Sequence, residues 1–370
     1  MHNNKQTKKV ENNIVKLFFA LVQCGIGKRV SLPATPSAEE WRVLYDMAIK
    51  QTLVGIVFAG VERLPKEQHP PRDILLTMHR LSVRIKHSNI ELNRKCVAVA
   101  KKFAAEGFKS CILKGQGIAQ LYPDPGLRTP GDIDIWLKGS SKEIIGYVKK
   151  FFPDCKPTYH HVDFPVSSDV DIEIHYRPTW MYNPFTNKRL QRYFDGIAHE
   201  QFANRIETAE GCFPASTVAF NRIYILLHIY RHLFFEGIGM RQLLDYYFVM
   251  QQPMSAKDRS EYVALLKRFG LKKFASAAMY AIQEMFGAGN GDPIVEPNRR
   301  LGEFLLREIM IAGNFGKYDS RYDFSEGNYS IKRLIEVIKH YSTLITKYTG
   351  ETMWSPYFKI WHYFWRKRNG

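Results

Sequence analysis

The sequence predicts an α+β fold that is predominantly helical overall, with a small mixed β-sheet core flanked by N-terminal and C-terminal helical regions. Apolar residues recur at three- and four-residue steps over residues 11–106, which is typical of amphipathic helices. Short alternating runs, which favour strands, follow in the middle of the chain, and helical spacing returns from Thr217. The predicted regions are an N-terminal helical region, a mixed α/β core and a C-terminal helical region, at residues 1–106, 107–212 and 213–370.

The N-terminal region begins with a basic segment and an interrupted apolar stretch over residues 14–24. Because no small-residue cleavage site follows, we interpret this stretch as an amphipathic helix rather than a signal peptide. Ser37 and Glu40 have the spacing of a capping box, which predicts the start of a helix. A second long helix is predicted at about 74–106.

The core is predicted from alternation and from turn residues. Its elements are, in order, a strand in "KSCILKG", a short helix in "QGIAQLYP", a strand in "DIDIWLK", a helix in "SSKEIIGYVKKFF" and a hairpin of "TYHHVDFPV" with "VDIEIHY". The helices predicted after the core lie at about 217–235, 240–252, 256–270 and 272–287, and two or three more follow a loop.

Composition limits the class of protein. Lys and Arg number 53 against 36 Asp and Glu, a formal charge of +17 that favours anionic partners such as nucleotides or nucleic acid. A basic surface without a specific partner is the alternative. No stretch of 18 uninterrupted apolar residues is present, so we expect no transmembrane segment. Widely spaced cysteines without a CxxC pair indicate a reduced, cytoplasmic protein; they are Cys24, Cys96, Cys111, Cys155 and Cys212.

Carboxylates in two predicted strands suggest a metal site. Asp132 and Asp134 are two residues apart in "DIDIWLK", so they point to the same face of the strand. Glu173 and Asp171 share one face of the later strand with His175. Clustered like charges repel unless a cation neutralises them, and Mg²⁺ takes hard carboxylate oxygens as ligands. The alternative is a solvated strand face that carries acids.

The segments "LKGQGIAQLYPDPGLRTPGDIDIWL" and "DIEIHY" resemble an uncharacterised nucleotidyltransferase family within the DNA polymerase β-like nucleotidyltransferase superfamily. The resemblance covers about residues 40–290. It implies that Asp132, Asp134 and Glu173 are catalytic residues that bind Mg²⁺ or Mn²⁺, with Asp171 as the alternative third metal ligand. It also implies a nucleoside triphosphate such as ATP as the substrate.

The resemblance suggests further nucleotide-binding residues. Lys114 and Gly115 stand where the wider superfamily has Gly-Gly or Gly-Ser, so we expect Lys114 to contact the β- or γ-phosphate. Arg128 is either a phosphate clamp or a partner of the acids. His228, Arg241 and Asp245 match elements of the family near the nucleotide cleft.

Each of these elements also has a simpler interpretation. Arg241 and Asp245 have the spacing of an ordinary helix ion pair. His228 and His232 have the spacing of a packed helix–helix interface, and they lack the glutamate of an HExxH zinc motif. His160 and His161 receive no assignment. The aromatic and basic C-terminus fits a helix with one packed face, a membrane-surface helix or a nucleic-acid contact.

The sequence therefore predicts a Mg²⁺-dependent nucleotidyltransferase that moves a nucleoside monophosphate from a triphosphate to an acceptor hydroxyl. Glu173, if it is not a metal ligand, is the candidate general base. The acceptor is open among a protein side chain, RNA, a sugar and a small metabolite. The alternative function is a catalytically silent nucleotide- or RNA-binding protein on the same fold.

Overall fold

The computed structural model describes residues 2–235, 237–289, 292–319, 339 and 341–369. It is an α+β structure in which helices predominate and a small mixed sheet forms the centre, as the sequence predicts. The helices before the sheet are α1 (His2–Gly25), α2 (Ala38–Lys50), α3 (Val54–Val61) and α4 (Arg72–Ala105). Ser37 forms the predicted capping box with Glu40 at the start of α2.

The central sheet has the strand order β1-β2-β4-β3. Its strands and helices are β1 (Ser110–Leu113), α5 (Gly115–Ala119), β2 (Ile133–Leu137), α6 (Ser141–Lys149), β3 (His161–Asp163) and β4 (Ile172–His175). β2 pairs antiparallel with β1 and parallel with β4, and the predicted hairpin of β3 with β4 is present. The parallel pairing brings the acid-bearing ends of β2 and β4 side by side.

The sheet is covered on both faces, which decides where its acids can lie. Ile133, Ile135 and Leu137 are buried in a cluster with residues of α4 and α6. On the other face, the Trp136 ring is 4.8 Å from the ring of Phe202. Asp134 is on that second face and is 2% exposed, so β2 does not carry its acid on a solvated surface.

A helix and a hairpin in the last part of the predicted core region were not predicted from the sequence. They are α7 (Pro184–Ala203), β5 (Arg205–Thr208) and β6 (Gly211–Pro214). Asn183 caps α7, because its side chain accepts hydrogen bonds from the backbone of Phe185 and Thr186. The Asn-Pro start is a recognisable helix signal. The weak amphipathic pattern of the helix itself made it easy to miss.

The later helices are α8 (Val218–Phe235), α9 (Met240–Gln251), α10 (Ala256–Arg268), α11 (Lys272–Phe286), α12 (Arg299–Ala312) and α13 (Thr349–Asn369). The first four match the predicted positions closely. The prediction of further helices falls partly on residues 320–338, which lie outside the described residues. No helix in the described part of the chain is both long enough and apolar enough to span a bilayer.

Helices from the two ends of the chain pack in one hydrophobic cluster. The Gln51 side chain donates to the carbonyl of Ile309 and accepts from the backbone N–H of Met240. Gln23 donates to the carbonyl of Met285. The helical regions before and after the sheet are therefore joined directly. All five cysteines are free thiols.

The last helix, α13, packs one face on the core and exposes the other. Glu351, which is buried, accepts hydrogen bonds from the backbone N–H groups of Tyr182 and Asn183. The Trp180 and Phe358 rings stack with their centroids 4.1 Å apart. These contacts hold α13 beside the chain that leads from β4 to α7.

Candidate active site

Three acidic side chains meet in one cleft because β2 pairs with β4. Asp134 lies opposite Glu173 in the parallel register. Asp132 immediately precedes β2, and all three acids line a cleft of about 670 Å³. Asp171 is exposed at the start of β4 and is not part of the cleft lining. The structure thus brings Asp132, Asp134 and Glu173 together and leaves Asp171 outside.

The Lys114 ammonium lies between the acids on either side of Ile133. Its Nζ is 2.8 Å from Asp134 Oδ2 and 3.4 Å from Asp132 Oδ2. Burial favours the neutral amine, but the two carboxylates outweigh it and raise the pKa of Lys114 above its ordinary value. Lys114 also holds a positive φ of 42°. Such a conformation costs a non-glycine residue about 1–3 kcal/mol, so the fold holds this lysine in place against strain.

His175 connects the acids of the two strands. Its Nε2 is 2.8 Å from Asp134 Oδ1 and 3.3 Å from Glu173 Oε2. Burial opposes the imidazolium, but the two carboxylates raise the pKa of His175 to about 9. Burial likewise opposes the ionised form of Glu173, but the hydrogen bond to His175 and the charge of His161 lower its pKa to about 2. Both groups are therefore charged at neutral pH.

Two histidines that received no role from the sequence extend this cluster. The Nδ1 atom of His161 is 3.1 Å from His160 Nε2 and 3.2 Å from Glu173 Oε2. Burial lowers the pKa of His161 to about 4 and lowers that of His160 well below its usual value. A signal was present in the sequence, because the His-His pair occurs in the strand predicted to pair with the Glu173 strand.

Cationic side chains surround the acids. Besides Lys114, those that line the cleft are Arg231 of α8, Lys317, and Lys359 and Arg366 of α13. The Arg231 guanidinium lies over the Trp180 ring at 4.4 Å and donates to Thr179 Oγ1. Sequence spacing could not reveal this set, because its members come from distant helices that only the fold brings to one cleft. A cleft with acids and several cations suits a polyphosphate with its metal ion.

Several predicted nucleotide-binding residues line a small cavity beside the cleft. Lys114, Gly115, Arg128, Asp132, His228, Arg241 and Asp245 all border it. Arg128 pairs with Asp245 rather than with the acids before and within β2. Arg241 does not form the expected ion pair with Asp245, because its Nη1 donates to the carbonyl of Thr129 at 2.8 Å. These residues therefore lie together in the structure, but the contacts of Arg128 and Arg241 hold the loop before β2 in place.

A larger cavity of about 820 Å³ adjoins the cleft. The two spaces share the walls formed by Tyr159, Pro178, Tyr182 and Phe358. Aromatic residues of α13 and basic residues of α7, including Trp361 and Arg192, line the larger one. A second molecule of moderate size has room there, beside the cleft that holds the acids.

Three overlapping groups of described side chains could hold a metal ion. They are Asp134 with Glu173 and His175, His160 with His161 and His175, and His161 with Asp163 and Glu173. Within each group the donor atoms lie within 4.8 Å of one another. His228 and His232 belong to none of these groups, although their rings are 4.3 Å apart. The carboxylates of the cleft fit a hard cation such as Mg²⁺ or Mn²⁺, and the imidazoles fit softer ions.

The sheet and the cleft have the arrangement of acids that the sequence resemblance predicts. An acidic pair lies at one strand, a third acid lies on its parallel neighbour, and a Lys-Gly turn faces them. The family model described as uncharacterised nucleotidyltransferase matches residues 37–287. Because this match spans more than half of the 370 residues, the chain belongs to that family, and the resemblance found in the sequence is confirmed. A comparison with curated proteins finds no match.

Proposed function

We propose that this nucleotidyltransferase moves a nucleoside monophosphate from a nucleoside triphosphate to an acceptor hydroxyl. The observation that carries the proposal is the convergence of Asp132, Asp134 and Glu173 on one cleft whose walls hold Lys114 and other cations. Transfer of a nucleotidyl group needs a neutralised polyphosphate held in line with a nucleophile. This cleft offers the acids, the cations and an adjoining space for the acceptor.

The acids fit the divalent ion that such a reaction requires. Asp132 is 35% exposed in its side chain, so its carboxylate faces the cleft, and Glu173 is 28% exposed. Asp134 is buried, and its contacts with Lys114 and His175 hold its carboxylate in place. A bound Mg²⁺ or Mn²⁺ would neutralise charge on the triphosphate and on the leaving pyrophosphate.

The cations of the chain are suited to bind the phosphates. Lys114 is charged, is only 14% exposed in its side chain and reaches the cleft from the turn before α5. Lys359 and Arg366 of α13 line the same cleft. A triphosphate between these two walls would meet positive charge on both sides, which holds the transferred phosphorus at a fixed position.

A nucleotide-transfer screen tests the proposal. Purified protein is incubated with α-³²P-labelled ATP, GTP, CTP or UTP, magnesium and a cell extract, and the label on extract components is measured. We expect transfer by the wild type and a loss of at least a hundredfold in the Asp132→Asn and Asp134→Asn variants. Asp46→Asn removes an exposed carboxylate that does not line the cleft and is the matched control.

The same screen separates the enzyme from a silent binding protein. If the wild type transfers no label, while it binds triphosphate equally well with and without the Asp132 and Asp134 carboxylates, the enzyme assignment fails. That outcome favours the nucleotide- or RNA-binding alternative on the same fold. Equal transfer by the wild type and both acid variants would place the reaction elsewhere in the molecule.

A further inference from the structure

We propose that His160, His161, His175 and Glu173 form a binding site for a transition-metal ion such as Zn²⁺. The site shares Glu173 with the acids of the cleft but is a different donor set, because its other three ligand atoms are imidazole nitrogens. It does not depend on the proposed transfer reaction. Imidazole with carboxylate selects zinc and neighbouring transition metals, whereas magnesium prefers oxygen donors alone.

Three separations between donor atoms are close to the edges of a tetrahedral site, and the donor atoms of the three histidines lie within 4.8 Å of one another. His161 Nδ1 lies 3.1 Å from His160 Nε2 and 3.2 Å from Glu173 Oε2, and His175 Nε2 lies 3.3 Å from Glu173 Oε2. Zinc binds nitrogen and oxygen at roughly 2.0–2.2 Å, which gives ligand-to-ligand edges of about 3.3–3.5 Å in a regular tetrahedron. These three edges would need only a small expansion to admit the ion.

The outer nitrogen of each histidine faces a group that can orient the ring. Thr158 Oγ1 is 3.2 Å from His160 Nδ1, and the carbonyl of Arg177 is 3.3 Å from His175 Nδ1. Asp163 Oδ1 is 3.9 Å from His161 Nε2. A histidine that binds a metal through one nitrogen usually donates its other N–H to such an oxygen, which fixes the ring and its tautomer. The rings of His160 and His175 therefore have the orientation that ligation requires, whereas Asp163 lies beyond hydrogen-bond distance of His161.

The charged side chains around the site are compatible with a bound cation. Asp134 Oδ1 is 2.8 Å from His175 Nε2, so a second carboxylate borders the site. Arg231 Nη1 is 3.5 Å from His160 Nε2, and the Lys114 ammonium contacts the other oxygen of Asp134. The same Nη1 of Arg231 donates to Thr179 Oγ1, and the guanidinium lies over the Trp180 ring, so Arg231 keeps these two partners when the ion replaces its contact with His160. Binding of a divalent ion would displace the proton of His175, and the carboxylates of Asp134 and Glu173 that face this ring would then neutralise the ion.

Cobalt titration of the full chain tests the site without any nucleotide. After treatment with a chelator, the protein is titrated with Co²⁺ and followed by visible absorption, and Zn²⁺ binding is measured by calorimetry. We expect one equivalent of Co²⁺ with the strong d–d bands of tetrahedral coordination, displaced by Zn²⁺. His160→Gln and His161→Gln should each weaken binding at least tenfold. Thr158→Val should weaken it about tenfold, because this side chain positions His160.

Matched controls separate this site from the rest of the cleft. His228→Gln and His232→Gln remove imidazoles from the same cleft wall and should leave the cobalt spectrum unchanged. Asp132→Asn should also keep the spectrum, even if it abolishes nucleotide transfer. The proposal is overturned if the wild type binds no Co²⁺, or if binding survives in the His160→Gln, His161→Gln double variant. Loss of binding in Asp132→Asn alone would place the metal at the acids and overturn it as well.

Discussion

Arg128 and Asp245 form a buried, bidentate ion pair that joins the loop before β2 to α9. Arg128 Nε and Nη2 each donate to one carboxylate oxygen of Asp245 at 2.8 Å. The Tyr122 hydroxyl donates to the same carboxylate at 2.7 Å. Because Asp132 follows Arg128 by only four residues, this pair fixes the backbone that presents the first acid of the cleft.

Removing one partner of this pair should destabilise the protein strongly. Arg128→Met leaves the Asp245 carboxylate buried without its cation, and such a loss costs about 3–5 kcal/mol. The Arg128→Met, Asp245→Leu double variant should be closer to the wild type than Arg128→Met, since it removes both charges. Urea unfolding measures each free energy of unfolding. Arg299→Met breaks an exposed ion pair and should leave the midpoint unchanged.

Replacement of Gly115 and of Gly146 by alanine should change the stability of the protein in opposite directions. Gly115 has a φ of +46°, so Gly115→Ala forces a left-handed conformation that costs about 1–2 kcal/mol. The added Cβ meets only the Asp132 carbonyl oxygen at 3.8 Å, so the cost is conformational rather than steric. Gly146 lies in α6 with open space around it, and Gly146→Ala should stabilise by about 0.5–1 kcal/mol. Thermal unfolding of the two variants should move the midpoint down and up respectively, and a shift in the same direction would contradict this account.

Lys114→Met should weaken binding of a triphosphate without removing the nucleoside site. A hydrogen bond to a charged group contributes about 1.5–3 kcal/mol, which corresponds to roughly tenfold or more in affinity. Equilibrium binding of a nonhydrolysable triphosphate and of the matching nucleoside separates the two contributions. Lys109→Met removes an exposed lysine just before β1 and should bind both ligands normally. Circular dichroism confirms folding, and equal losses for triphosphate and nucleoside would count against a phosphate contact.

Glu351 should make the stability of the protein depend on pH. Burial raises its pKa to about 7, although the backbone N–H groups of Tyr182 and Asn183 favour the ionised form. Because the folded state holds this proton more tightly than the unfolded state, the stabilisation is present below about pH 4.5 and is lost as pH rises through about 7. A shift of this size corresponds to about 3 kcal/mol.

The Glu351→Gln variant should lack this dependence. Its free energy of unfolding, measured in urea from pH 4.5 to 8, should rise relative to the wild type over that interval. Glu284→Gln, an exposed substitution on α11, should follow the wild-type curve. Parallel curves for the wild type and Glu351→Gln would show that this carboxyl is not the titrating group.

Much of the core was predictable because its strands are short and alternate clearly. The pattern of Ile133, Asp134 and Ile135 gave both the strand and its apolar face. The predicted hairpin of β3 and β4 is present because two alternating runs flank a polar turn. By contrast, α7 was missed, because tertiary contacts and an Asn183 cap support a helix whose own apolar pattern is weak.

The sequence by itself determined the fold class, the family and the spacing of Asp132 and Asp134, because these depend on local alternation and on a contiguous motif. The tertiary structure decided which charges meet. In the folded chain Lys114 lies between the acids, Arg128 pairs with Asp245, and His160 and His161 lie beside Glu173. Such partners lie far apart in the chain, and only strand register and helix packing bring their atoms within a few ångströms.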